Sequence, residues 1–280
     1  MPAWDANGDG ALWVGASGYT VGCKLRRFVT LVKANYTQIS FPRNVITANW
    51  LQITGKKKAV VDTTGQHAQP KSIRPPKKQA AAQAAAVQVR CTPTLPAGVT
   101  DPCLVYAKNQ VKPNTGAKVA TIASQMFTAA QLAGFQQLAT ADGKYYPAGT
   151  CPTNLTGNPA GNNIVFVEDL TGCPAINVNG NDKNNPGFLV IKKGMLTLAG
   201  KATYYGFIYH ANTAGVNTKL IYLTGSAVIQ GAVSVDGLGG VNPATKHTAI
   251  IFDPRPLALP KVRTNAIAVP GTWRELDPGQ

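Results

Sequence analysis

The sequence predicts a mainly β protein, with an N-terminal β-rich region and one α-helix followed by a short C-terminal β-solenoid of β-helix-like coils. The main observation is an internal repeat, because residues 198–208 align with residues 223–233 at a constant offset of 25 residues. Repeats of about 20–25 residues made of short strands are typical of solenoids, in which each coil stacks on the last. Composition is the second observation, since only 14% of the residues are charged and Gly, Asn, Thr and Ala are plentiful. That profile is typical of turn-rich β structure.

Glycines at matched positions of the repeat fit the corners of coils. Gly200 aligns with Gly225 and Gly206 with Gly231, while Gly187 begins a third, partial copy. Corners often need a positive φ, which glycine adopts without steric cost. An ordinary antiparallel sheet is the alternative architecture. The apolar side chains expected to point inward are Leu198, Ala202, Ile208, Leu223, Ala227 and Val233. The tyrosines expected on outward faces, as a recognition surface, are Tyr204, Tyr205, Tyr209 and Tyr222.

The first segment of the chain, residues 1–64, is predicted to be β-rich. Two β-like runs, at 11–21 and 24–33, lie on either side of a glycine and alternate in part between the two faces of a strand. This pattern predicts a β-hairpin or a small sheet. Further strand candidates are the apolar runs at 45–53 and 59–62.

The second segment, residues 65–118, is rich in Pro, Ala and basic residues, and we expect an exposed insertion with a disulfide loop. The third segment, residues 119–280, is predicted to be a helix-capped β-solenoid with a Pro-rich tail. The helix is predicted over residues 119–141, and the Gly143 that follows suits a left-handed cap. In the tail, Trp273 is expected to dock on a core.

The formal net charge is +15, which favours attraction to a polyanion such as nucleic acid, anionic lipid or an anionic wall polymer. A solvated basic surface is the alternative. Many of the basic residues lie in residues 56–90, where no interleaved aromatic side chains could stack on bases, so nucleic acid is not the expected partner. The residues predicted to contact a polyanion are Lys56, Lys57, Lys58, Lys71, Arg74, Lys77 and Lys78.

The five cysteines form no CxxC pair and are accompanied by only three histidines, which disfavours a zinc site. Their spacing predicts two local disulfides, Cys91–Cys103 and Cys151–Cys173, with Cys23 left buried and unpaired. Disulfides indicate an oxidising, extracytoplasmic location, and five free thiols in a cytosolic protein are the alternative. The sequence shows no signal peptide and no transmembrane run of about 20 apolar residues. We therefore expect that the chain starts upstream and that an export or anchor segment precedes it.

A short acidic motif near the N-terminus resembles the first half of an EF-hand-type calcium loop, with Asp5, Asn7 and Asp9 as the oxygen ligands. The bidentate acid that such a loop needs at its twelfth position is replaced by Ala16. Clusters of Asp, Asn and Gly also form tight turns without metal, because their side chains cap their own backbone. Calcium is the one cofactor that the sequence puts forward.

Residues with catalytic potential are few. The chain has 12 acidic residues and no nucleophile elbow, zinc-protease motif or phosphate-binding loop. Glu168, Asp169 and Asp236 are candidates for a carbohydrate-active solenoid enzyme, because paired carboxylates cleave glycosidic bonds. Structural carboxylates are the alternative, and His67, His210 and His247 have no evident acidic partner. We expect a non-enzymatic protein without catalytic residues.

Several short motifs resemble PilX-like, minor-pilin-like surface proteins that are encoded with type IV pilus genes in Gram-positive bacteria. They include DANGDGALWV at 5–14, GKYYPAGTCP at 143–152, NPGFLV at 185–190 and PGTWREL at 270–276. The likeness touches most of the chain and is weakest between residues 66 and 115. It implies an envelope-anchored or pilus-associated structural protein, and it supplies no catalytic residues.

Together, the repeat, the cysteines and the resemblance predict a non-enzymatic, extracytoplasmic structural or adhesive protein. The expected partners are pilus or envelope proteins, with an anionic wall polymer as a further candidate and a membrane anchor only through a preceding segment. The two alternatives are a carbohydrate-active β-solenoid enzyme and a polyanion-binding surface module.

Overall fold

The structure is a computed structural model of the 280-residue chain. It describes residues 11–38, 44–54, 60–62, 87–90, 111–112, 117–119, 126–159, 161–177, 180–253 and 261–276. The fold is mainly β, with a β-solenoid of about four turns in the C-terminal part, as the sequence predicts. The chain divides into two compact units: unit one comprises residues 1–39 and 261–280, and unit two comprises residues 40–260.

Unit one contains a four-stranded antiparallel sheet. Its strands are β1 (Ala11–Tyr19), β2 (Leu25–Gln38), β18 (Lys261–Ala268) and β19 (Arg274–Leu276). Strands β1 and β2 form the predicted hairpin, in which Ala11 pairs with Lys33 and Tyr19 with Leu25. The opposite edge of β2 pairs with both tail strands, so this sheet joins the two ends of the sequence.

Unit two is built on two parallel sheets that run along the solenoid. Strands of the larger sheet are β3 (Ile46–Ala48), β5 (Val60–Asp62), β6 (Val87–Val89), β7 (Val111–Lys112), β8 (Ala117–Val119), β9 (Tyr145–Tyr146), β10 (Ile164–Asp169), β11 (Gly187–Lys193), β13 (Thr203–His210), β15 (Val228–Val235) and β17 (Ala249–Phe252). Strands of the smaller sheet are β4 (Trp50–Leu51), β12 (Leu196–Leu198), β14 (Lys219–Leu223) and β16 (Gly240–Pro243).

Successive coils pair in parallel, which excludes the antiparallel alternative. Paired residues on successive strands are 24, 19, 25 and 21 positions apart, as shown by Ile164 with Phe188, Gly187 with Gly206, Thr203 with Val228, and Val228 with Ala249. The third spacing is the offset predicted from the repeat. All six side chains that were expected to point inward are fully buried.

Three stacked glycines explain why glycine recurs at the same position of successive coils. Gly187 pairs with Gly206 and Gly206 with Gly231, on three neighbouring strands. A Cβ atom on Gly206 would lie 1.9 Å from the carbonyl oxygen of Gly187, and one on Gly231 would lie 1.8 Å from that of Gly206. The φ angles of Gly206 and Gly231 are +134° and +151°. Only glycine satisfies both the spacing and the backbone conformation.

The solenoid path continues from the C-terminal part of the chain into the N-terminal part. Strand β17 pairs with the first half of β15, through Ile250 and Ile229, and β3 pairs with the second half, through Ile46 and Val233. Strand β4 stacks in the same way on β16. Beyond them, β5 pairs with β17 and β6 with β3, so the next coil follows the same order. The chain therefore passes from the first part of unit one into the solenoid at β3, and from β17 into the second part of unit one.

The main core lies along one face of the larger sheet. Val165, Leu189, Ile208, Val233 and Ile46 succeed one another across five paired strands and are fully buried. This face is turned toward the smaller sheet, since a Cβ atom on Gly239, which precedes β16, would lie 2.9 Å from Val235 Cγ1. Because both faces of a parallel sheet are normally covered, its strands consist of nearly continuous apolar runs.

Helix α1 (Ala129–Ala141) covers part of the opposite face. Phe135 on the helix packs edge-on against Phe188 with ring centroids 5.1 Å apart, and Phe127 packs in the same way against Tyr209 at 4.7 Å. The predicted start at residue 119 is wrong by ten residues, because Thr128 caps the helix through a capping box with Gln131. Residues 117–119 instead form strand β8.

The division of the chain differs from the three predicted segments. Strands at 46–51 and 60–62, which were assigned to an N-terminal region, complete the solenoid because their backbones pair with β15, β16 and β17. The tail at 261–276 belongs with the N-terminal hairpin rather than with the solenoid. Trp273 does not dock on a core, since 63% of its surface is exposed.

Candidate functional site

Two of the candidate catalytic acids, Glu168 and Asp169, form ion pairs across neighbouring strands. Glu168 lies 2.7 Å from the Nζ atom of Lys192, and Asp169 lies 3.1 Å from that of Lys193. Since adjacent residues of a strand point to opposite faces, the two carboxylates cannot act on one glycosidic bond together. Hydrogen bonds from Thr171, followed by the contact with Lys193, lower the pKa of Asp169. Both side chains are therefore suited to holding strands β10 and β11 in register.

The third acid, Asp236, belongs to a buried polar cluster that joins three distant parts of the chain. Its Oδ2 atom accepts hydrogen bonds from the hydroxyl of Tyr209 and from the backbone N–H of Met126, the latter at 2.8 Å. Arg90 donates to the carbonyl oxygens of Val235 and Gly237 at 2.9 and 3.0 Å. Its Nη2 atom lies 3.8 Å from Asp236 Oδ1.

Burial raises the pKa of Asp236, and the hydrogen bonds from Tyr209 and Met126 and the charge of Arg90 oppose that rise. A raised pKa is a property of general acids, but this carboxylate is only 1% exposed and cannot meet a polymeric substrate. We infer that Asp236 has a structural role and holds strand β6 and the segment before α1 against β15. Sequence analysis missed this cluster, because Arg90 was grouped with the surrounding basic residues and no local pattern links it to residue 236.

His210 is fully buried within the solenoid and has two backbone partners. Its Nδ1 atom accepts from the N–H of Asn212 at 3.0 Å, so the proton is on Nε2, which donates to the carbonyl oxygen of Gly194 at 2.7 Å. Burial lowers the pKa of His210 from 6.5 to about 4. It is a neutral structural residue of the coil corner at pH 7.

The predicted disulfide between Cys151 and Cys173 is present, with Cα atoms 5.5 Å apart. It connects the segment before β10 with the turn after it. Cys23 is free, as predicted, but exposed rather than buried. It lies in the β1–β2 turn, where its φ is +56° and no core surrounds its side chain.

Two of the four tyrosines that were expected to form an outward recognition surface are fully buried, namely Tyr204 and Tyr209. Tyr204 lies beside Gly180 and Gly187 on the core side, where a side chain at either glycine would approach its ring or hydroxyl. Tyr209 points to the opposite face and is covered by Phe127. The glycines of the repeat thus make room for an aromatic side chain inside the coil.

Other predicted sites lie outside the described residues. They are the calcium ligands Asp5, Asn7 and Asp9, the disulfide Cys91–Cys103, and the polyanion contacts Lys56, Lys57, Lys58, Lys71, Arg74, Lys77 and Lys78. In the part of the chain that the structure describes, no group of three or more His, Cys, Asp or Glu side chains is arranged to hold a metal ion.

The described surface that does carry exposed apolar and basic groups is the hairpin of unit one. Val21 and Tyr19 project from its turn, and Trp13 is half exposed on β1. The guanidinium of Arg274 lies over the Trp13 ring at 5.6 Å from its centroid. Sequence analysis missed this surface, although one signal was available, since no acidic residue occurs between Asp9 and Asp62.

These features define a class of protein, namely a disulfide-linked β-solenoid that carries a separate antiparallel sheet formed by both ends of the sequence. Comparisons with protein-family models, with curated proteins and with solved structures find no match. Among the residues that the structure describes, no helix combines the length and apolar character needed to cross a bilayer.

Proposed function

We propose that this protein is a non-enzymatic, extracytoplasmic structural or adhesive protein that works with type IV pilus or other envelope components. The observation that carries the proposal is the disulfide Cys151–Cys173 within a closely stacked solenoid. Structural disulfides persist in oxidising compartments. In such a solenoid each coil is stabilised by packing on its neighbours, and here the stacked glycines let the backbones of neighbouring coils approach closely. The resemblance of the short sequence motifs to those of pilus-associated proteins supports this role.

The state of the acidic side chains also favours a structural role. Glu168 and Asp169 each pair with a lysine of the next strand, and Asp236 is enclosed with Tyr209 and Arg90. A glycosidase needs two carboxyl groups that face the same bond about 5–10 Å apart. The described acids instead contact different partners on different faces. The enzyme alternative therefore has less support than the structural one.

The exposed thiol of Cys23 allows a direct test of location. Intact cells that produce the protein are treated with a membrane-impermeant maleimide, the remaining thiols are blocked during lysis, and the protein is mapped by mass spectrometry without reduction. We expect Cys23 to carry the impermeant label and Cys151 to be joined to Cys173. Labelling that appears only after lysis, together with free thiols at both of those positions, would contradict an extracytoplasmic location.

Association with pili is tested separately. Pili are sheared from the same cells, purified by sedimentation, and probed for the protein before and after chemical cross-linking. We expect the protein to sediment with the sheared filaments or to cross-link to one of their subunits. Complete recovery of the protein in the cell-wall fraction without any such cross-link would contradict association with pili. The proposal would then be limited to an envelope protein.

A further inference from the structure

The turn that connects β1 and β2 is an ordered structure in its own right. Residues 19–27 are here named the hairpin tip. Thr20 donates its N–H to the carbonyl oxygen of Lys24 at 3.0 Å, and Cys23 donates to that of Thr20 at 2.9 Å. The left-handed conformation of Cys23 completes the reversal of the chain. The tip therefore presents its side chains from a closed turn.

Two apolar side chains project from the hairpin tip into solvent. Val21 is fully exposed, with a relative accessibility of 107%, and Tyr19 is 77% exposed. Gly18 and Gly22, which flank this part of the turn, have no atom within 4 Å of where a Cβ would lie. Nothing in the described part of unit one covers these side chains, so they contribute little to its folding. A single exposed apolar residue is ordinary, but two at the end of a projecting turn mark a surface that meets an apolar phase.

The described residues around the hairpin tip are mainly basic. Residues 11–38 and 261–276 contain seven Lys or Arg residues and one acid, Glu275. Glu275 pairs with Arg26, and the tip also carries Lys24 and Arg27. Arg26 and Arg27 lie opposite Gly18 and Ser17 on β1, and both side chains are exposed. A partner of complementary charge must be anionic.

We propose that the hairpin tip binds the surface of an anionic lipid membrane, with Val21 and Tyr19 entering the interface and Lys24 and Arg27 meeting the headgroups. Apolar side chains beside basic ones are the combination that peripheral membrane segments use, and aromatic rings with a polar end suit the headgroup level. A nucleic acid would also meet the charge, but it would leave Val21 in water, because an aliphatic side chain has no π face on which bases stack. The proposal does not depend on association with pili.

Flotation of the full-length protein with lipid vesicles tests this inference. Vesicles of phosphatidylcholine alone are compared with vesicles in which about two fifths of the lipid is phosphatidylglycerol. We expect binding to the anionic vesicles that weakens as salt is raised, and little binding to the neutral ones. Replacing both charges, as Lys24→Glu with Arg27→Glu, should weaken binding by at least about tenfold, since each basic residue near the surface contributes about fivefold. Replacing Tyr19 and Val21 by Ser should also weaken it while all charges are kept.

A matched control has the same change of charge in unit two, at Lys201→Glu with Lys246→Glu, both on exposed turns of the solenoid. This variant should bind the anionic vesicles as the unaltered protein does. Equal loss in both charge variants would show that only net charge matters and would overturn the assignment to the tip. Unchanged binding by the Tyr19 and Val21 variant would overturn insertion.

The thiol of Cys23 provides a second readout inside the tip. An environment-sensitive fluorophore attached there should shift to shorter wavelength and become brighter with anionic vesicles, because the label enters a less polar medium. A Cys23→Ser variant, labelled in the same way, corrects for reaction at other cysteines. No spectral shift at lipid concentrations that float the protein, or an equal shift with a single-stranded oligonucleotide in place of vesicles, would overturn the proposal.

Discussion

At the scale of single residues, His210 links the stability of the solenoid to pH. Its pKa is about 4 in the folded chain and 6.5 ordinarily, because burial disfavours the charged ring. Its contribution to stability is therefore complete above pH 6.5 and is lost as the pH falls from 6.5 towards 4. The unfolded chain binds the extra proton in that interval and the folded chain does not. Between pH 7 and pH 4.5, this residue alone should lower the free energy of unfolding by roughly 2 kcal/mol.

Urea unfolding at pH 7 and pH 4.5 measures this effect, and a His210→Gln variant isolates it from the carboxylates that titrate nearby. The variant should lose less stability than the unaltered protein between the two pH values. His247 is exposed, and His247→Gln is the matched control that should leave the pH dependence as it was. An identical loss in all three proteins would show that His210 does not control the acid response.

At the scale of elements, the stacked glycines of β11, β13 and β15 set how closely the coils approach. We expect Gly206→Ala to destabilise the protein by more than about 3 kcal/mol, because its Cβ would meet backbone at 1.9 Å and its φ is +134°. Gly134 in helix α1 is the control, since a Cβ there meets no atom within 4 Å. Gly134→Ala should stabilise by roughly 0.5–1 kcal/mol. Thermal unfolding followed by circular dichroism compares the stabilities of the two variants. A Gly206→Ala variant as stable as the unaltered protein would contradict the role assigned to the stacked glycines.

The disulfide Cys151–Cys173 is a second feature that stabilises the solenoid at the scale of elements. Removing it through Cys151→Ser with Cys173→Ser should cost about 3 kcal/mol in the chain-entropy model, for a loop of 22 residues. The exposed Cys23 is the natural comparison, and Cys23→Ser should have no measurable effect. The urea concentrations at the unfolding midpoints of the two variants, each compared with that of the unaltered protein, test this expectation. Equal stability of the double variant and the unaltered protein would mean that the first coil needs no cross-link.

The sequence indicates the elements whose signals are local or repeated. The offset that places Thr203 on Val228 was visible because two coils share their glycines, and alternating runs indicated the hairpin of β1 and β2. The coil made by β3, β4 and β5 was not foreseen, since strands of two or three residues carry no periodic signal. Their pairing with residues nearly 200 positions away depends on backbone contacts that no short motif records.

The candidate site shows the same limit. Cys151 and Cys173 were paired correctly because they are close in sequence and flank one strand. Tyr209 was placed on the surface by its polar hydroxyl, yet it is buried, since Asp236 and the segment before α1 satisfy that hydroxyl from distant parts of the chain. Side chains that are buried with a polar partner cannot be told from exposed ones by residue type alone.

At the scale of the whole molecule, the two ends of the sequence have different roles from those of its middle. The described apolar side chains that are fully buried all belong to unit two, from Val45 to Phe252. In unit one, Thr30 is the buried residue among those whose burial is described, and the apolar residues of β1 and of residues 25–33 in β2 are half exposed or exposed. The solenoid therefore provides the described hydrophobic core, and unit one is formed by the parts of the chain that precede β3 and follow β17.

This division predicts that residues 40–260 fold without the two ends. Burial of apolar surface is the main source of stability, and that fragment keeps the described core, the disulfide and helix α1. We expect it to unfold cooperatively, with a free energy of unfolding within about 1 kcal/mol of that of the full chain, because the described buried apolar side chains all lie within it. Urea unfolding of the two proteins, followed by circular dichroism, makes the comparison. A fragment of residues 1–39 joined to 261–280 by a flexible linker should show no cooperative transition, since the side chains of its sheet whose burial is described bury little apolar surface. An unfolded 40–260 fragment, or a stable isolated sheet, would show that the ends of the chain supply stability as well as a surface.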